Sequence, residues 1–92
     1  MIVRIVTEGQ YELPDEAYDD LNKLDNQAVT AVEASDADLF YDTWNAMLKL
    51  VREKGTQLEA DDLHPSALIL PPPDLTLAEA EEEFTGDGIL PD

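Results

Sequence analysis

The chain has 92 residues, the size of a single domain spanning 1–92. Five basic residues stand against 22 acidic ones, a net charge of −17, while 43% of the residues are apolar. That apolar share can build a core, which excludes a disordered acidic tail, and the lack of cysteine excludes disulfides, thiolate zinc sites and a cysteine nucleophile.

Residues 2–6, Ile-Val-Arg-Ile-Val, are β-branched except for Arg4 and read as a mostly buried strand. Glu8-Gly9 marks a turn, and Gln10 to Leu13 is expected to return as a short antiparallel partner. Pro14 blocks a longer strand and suits a helix start. From Asp15 to about Ala34 apolar residues recur at steps of three and four: Tyr18, Leu21, Leu24, Ala28, Val29 and Val32, with Asp25 on the flank. Ser35 with Asp38 approximates a capping box, so a second helix is expected from near Asp36 to Lys54. Its stripe is Phe40, Trp44, Met47, Leu48 and Val51, with Leu39 alongside, and Gly55 reads as its C-terminal stop. So tight a joint predicts an antiparallel helical hairpin.

Thr56 to Asp62 is polar and reads as a loop. Ser66 to Leu70 reads as a second buried strand, ended by Pro71-Pro72-Pro73, which is expected to act as a stiff arm. Thr76 and Glu79 form a capping box for a last helix from Leu77 to about Phe84, broken by Gly86 and Gly88. Ile89-Leu90-Pro91 reads as a small strand or a tail folded on the core. The order β-β-α-α-β-α predicts a small α/β (α+β) fold. Short strands form one layer, and the helical hairpin and C-terminal helix pack on one face of it. The first and later strands are expected side by side across the helical crossover. A chain this short hides about two-thirds of its surface, which is compatible with a homodimer sharing the sheet or the Trp44 helix.

Charge and motifs narrow the function. Phosphate binding draws on Lys and Arg, so nucleic acid and anionic lipid are disfavoured as direct partners. No apolar run approaches the ~20 residues of a spanning helix, so membrane insertion is not expected. The opening Met-Ile-Val-Arg-Ile-Val lacks the pattern of a signal peptide. Dense acid with only three lysines reads as the surface of a salt-loving cell's protein, since molar salt shrinks the Debye length to about 3 Å; a basic partner surface is the other source of such a bias. Lack of cysteine fits a reducing cytoplasm.

His64, flanked by Asp61 and Asp62, is the one candidate metal or catalytic grouping, but a lone imidazole lacks convergent ligands. Ser66 nearby has no nucleophile-elbow pattern, and Glu79 with Glu81–Glu83 lacks the alternating ligands of a calcium loop. Gly9 stands alone and makes no phosphate-binding loop. No catalytic set, cofactor or metal site is assigned. Phe40 and Trp44 read first as core, with an exposed aromatic patch as the alternative.

In order and spacing, several segments together are specific. They are Met1–Tyr11, Leu21-Asn22-Lys23-Leu24-Asp25, the Phe40-centred helix, Val51-Arg52 before Gly55, Leu63-His64-Pro65-Ser66 with Ile69-Leu70-Pro71, Thr76–Glu79, and Gly88-Ile89-Leu90-Pro91-Asp92. This pattern resembles the PspAA family, the small proteins associated with phage shock protein A. His64-Pro65 and the proline triplet depart from it. The resemblance implies a short cytoplasmic protein of the archaeal and actinobacterial type, here of haloarchaeal character. It implies a non-enzymatic accessory that binds a phage-shock-type coiled coil related to ESCRT-III proteins, in a membrane-stress response, and reaches the membrane only through that partner. Arg4, Tyr11, Phe40 and Trp44 are the expected structural or interface anchors, because Trp and Tyr have the strongest interface preference. The alternatives are a small metal-dependent sensor or enzyme using His64 with Asp61 and Asp62, and a purely structural acidic homodimer.

Overall fold

Side-chain alternation at two residues sets the sheet in place. The computed structural model describes residues 1–59 and 65–84. In it, strand β1 (Ile2–Ile5) runs antiparallel to β2 (Gly9–Glu12) and parallel to β4 (Leu68–Leu70). A two-residue strand, β3 (Thr56–Gln57), extends the far edge and gives the order β3-β2-β1-β4. Helices α1 (Tyr18–Glu33), preceded by a 3-10 turn at Asp15–Ala17, α2 (Ala37–Lys54) and α3 (Leu77–Glu83) complete the α+β fold in the expected order. The parallel pairing of β1 with β4 across the helices is the predicted crossover.

The strands bury one face only. Val3, Ile5, Tyr11, Leu13, Leu68 and Leu70 point into the core, against Leu21, Phe40, Trp44, Met47 and Val51 of the helices. Arg4 is the exposed exception in β1, whereas β4 is not buried throughout, as its apolar run suggested: Ile69 is exposed on the opposite face. The Thr56–Asp62 loop reading is also corrected at its start, where Thr56 and Gln57 pair with Glu12 and Tyr11. Two exposed residues carry no strand signature, and β2 supplies the ladder that makes them one.

The joint between α1 and α2 differs in detail from the expected capping box. Ser35 adopts φ 53°, and the Ser35 and Asp36 amides donate to the Val32 and Ala31 carbonyls. Those two bonds close a Schellman motif, in which Ser35 takes the left-handed position usually held by glycine. The N-cap of α2 is Asp36, whose carboxylate accepts from the Leu39 amide at 3.1 Å. The box at Thr76 and Glu79 forms as read, with both reciprocal bonds present. Gly55 follows α2 with extended backbone, not a left-handed cap. Glycine is needed there for space, since a Cβ would lie 2.5 Å from the Val51 carbonyl oxygen. Gly9 does sit at positive φ, 130°, at the start of β2.

On α1 the buried stripe is rotated from the expected one. Asp25, placed on the flank, is fully buried beside Leu21 and Ala28, while Leu24 is half-buried.

Candidate interaction surface

The residues expected to anchor an interface divide between the two faces of the sheet. Phe40 and Trp44 are inside, at 0% and 1% exposure. Their rings meet Phe84 edge-on, at centroid separations of 5.7 and 5.9 Å. The Trp44 indole N–H donates to the Pro73 carbonyl at 3.4 Å. One indole thus ties α2 both to the proline segment and to the end of α3. The proline triplet is held as part of the wall: Pro71 is buried and the Leu75 amide donates to the Pro72 carbonyl.

Tyr11 is buried on the covered face, at its rim. Beside it Arg52, in the last turn of α2, grips Glu8 of the β1–β2 turn. Its Nε donates to both carboxylate oxygens, at 3.0 and 3.2 Å, and Nη2 lies 2.9 Å from Oε1. This forked geometry holds the turn to the helix end. Burial pushes the Tyr11 hydroxyl above its ordinary pKa, with Glu8 adding to the rise and Arg52 opposing it. The hydrogen bond to Glu8 in turn raises the Arg52 guanidinium.

Among the described residues no helix lies over the other face of the sheet. Register places Arg4 between Gln10 of β2 and Ile69 of β4. Gln10 donates to the Ser66 hydroxyl at 2.8 Å, so a side-chain brace runs across β1 from one neighbouring strand to the approach of the other. Arg4, Glu8, Gln10, Gln57 and Leu58 line an open depression of about 280 Å³ at the β3 side. Ile69 is 57% exposed, more than any other large apolar residue among the described ones. Acid crowds the helical layer instead: Asp19, Asp20, Glu33, Asp38 and Asp42 are all exposed there.

Arg4 lies in β1, within the expected strand, while Ile69, the Gln10–Ser66 brace and the Arg52–Glu8 clamp were not singled out in the sequence. For Ile69 a signal existed. In Leu-Ile-Leu on a sheet covered on one side, the middle residue must face away from the outer two. The clamp has no local signal, since its partners are brought together by the fold. His64, Asp61 and Asp62 lie outside the described residues. Among the described residues no three His, Cys, Asp or Glu side chains are grouped to hold a metal ion, and no helix is long and apolar enough to cross a membrane.

Comparison with known proteins gives one relationship. The family model of the PspA-associated protein, PspAA, matches residues 1–92, and the chain belongs to that family. No curated protein and no solved structure matches it.

Proposed function

We propose that this member of the PspA-associated family is a non-enzymatic interaction module. It binds a PspA-type coiled-coil protein in the cytoplasm and modulates a membrane-stress response through that partner. The observation that carries the reading is the family match, which spans residues 1–92. The architecture is consistent with it. One sheet face is spent on the core, no helix among the described residues covers the other, and Phe40, Trp44 and Phe84 stabilise the domain from inside. The acidic surface favours a partner with basic surface, by steering and by excluding like-charged competitors.

The test is co-purification in molar KCl from a salt-loving host. The tag belongs at the C-terminus, because the Met1 amine and carbonyl both pair with Leu13. The expected result is a PspA-type protein eluting in fixed proportion with the tagged chain. Recovery of the chain alone, when a PspA-type protein is present in the same cells, would overturn the reading.

A further inference from the structure

A groove lies where the C-terminal ends of β1 and β4 meet α3, about 290 Å³ in volume. Its accessible floor is apolar: Ile69 is 57% exposed, and Val6 and Pro72 are half-buried. Its rim is acidic. On α3, Ala80 turns inward, while Glu79, Glu82 and Glu83, three and four residues apart, line the groove. Glu79 is partly engaged, since it accepts from the Thr76 amide and hydroxyl. Glu82 and Glu83 have no basic partner among the described residues, and no Lys or Arg lines the groove. Exposed apolar surface beside unneutralised carboxylates is matched by a segment with apolar residues on one side and Lys or Arg next to them. A second copy of this chain is a poor match, because it brings an identical acidic rim, with no Lys or Arg lining it, to the same place.

We infer that this groove docks a basic amphipathic segment of the partner. The inference rests on the PspA-association reading above and locates the contact at Ile69 and the α3 glutamates. It separates two contributions: the floor supplies apolar contact and the rim selects the charge of what lies on it.

The experiment measures binding of the purified PspA-type protein to the full chain at one fixed salt concentration, the lowest at which all the chains stay folded. Four chains are compared: wild type, Ile69→Glu, the double reversal Glu82→Lys with Glu83→Lys, and a control, Glu33→Lys with Asp42→Lys. The control changes net charge by the same amount on the exposed helical layer. Both groove variants are expected to weaken binding by about tenfold or more, and the control by less than about threefold. Ile69→Glu is the sharpest arm. It makes the chain more acidic, so attraction by net charge alone would tighten binding, whereas loss of the apolar floor weakens it. Circular dichroism melting checks each fold, and Ile69→Thr replaces Ile69→Glu should the latter unfold.

Binding unchanged in both groove variants, or weakened equally by the control, overturns the groove and leaves the association standing. Failure of wild type to bind the PspA-type protein defeats the association itself. The groove is then judged with a synthetic Lys–Leu amphipathic peptide of about 18 residues. The same order of variants upholds it, and no binding or no variant effect overturns it. A wild-type dimer by sedimentation that Ile69→Glu dissociates would make the occupant a second copy and overturn the inference as well.

Discussion

The two faces of the sheet come from the same strands and differ by one residue of phase. Val3 and Ile5 sit at 0% exposure under the helices, while Arg4 between them is exposed; Leu68 and Leu70 are buried, while Ile69 is 57% exposed. Covered positions are held by aromatic and aliphatic packing and by Trp44 reaching Pro73. Open positions are held by the ladder and by side-chain contacts such as that of Gln10 to Ser66. Stability is therefore concentrated on one side of the layer. On the other side, Arg4 and Ile69 add little apolar burial to the fold.

That contrast can be broken or sharpened in a graded way. Trp44→Ala removes a buried ring, its edge contact with Phe84 and its bond to Pro73. It should cost about 3–5 kcal/mol. In a domain of this size that lowers the melting temperature by roughly 10 °C or more, readable by circular dichroism. A shift of only a degree or two would mean the covered face does not carry the stability.

Leu70→Ala and Ile69→Ala form a neighbouring pair on β4. The first should cost about 2–4 kcal/mol in urea unfolding, because Leu70 is fully buried. Equal effects at the two positions would erase the distinction between faces.

Alkali reaches the covered face through Tyr11. Its hydroxyl pKa is raised in the folded chain, chiefly by burial, so the fold favours the neutral phenol. This contribution is fully present below the unfolded value near 10.0 and is lost as pH rises through the higher folded value. Melting temperature should therefore fall across that window by more in wild type than in Tyr11→Phe. Parallel curves for the two would remove Tyr11 from the covered face's titration.

The smallest effect belongs to the open face. Ile69→Thr keeps a β-branched residue in the strand and should change stability by about 0.5 kcal/mol or less. A larger loss in a chemical melt would show that Ile69 packs within the domain and is not available to a partner.

Where a feature rests on neighbours in sequence it was legible. The stripe Phe40, Trp44, Met47, Leu48, Val51 gave α2, and Thr76 with Glu79 gave the start of α3. Features set by distant parts were not. Thr56–Gln57 becomes strand only against β2, and Arg52 finds Glu8 only once α2 lies beside the hairpin. At Ser35 two local rules competed. Serine is a good cap, but ending α1 required a left-handed residue first, so Ser35 took that position and Asp36 became the cap. Burial of Asp25 defeated hydropathy outright, since a carboxylate scores as surface wherever it stands. For the surface, alternation alone could have revealed Ile69, whereas the groove beside it needs α3, whose position comes from Phe84 meeting Phe40 and Trp44.

The placing of β1 sets an order of events during synthesis. Its β2 neighbour follows within a few residues, so that hairpin can close early at small entropic cost. Its other neighbour is the last strand among the described residues, with Val3 paired to Leu68 and both long helices in between. A chain emerging from the ribosome therefore carries β1 with one flank unsatisfied until Leu68–Leu70 has been made and has emerged. Closing that flank is the high-contact-order step, and it is expected to limit the folding rate. The helical hairpin, whose contacts are local, can assemble beforehand and wait for β4 to arrive.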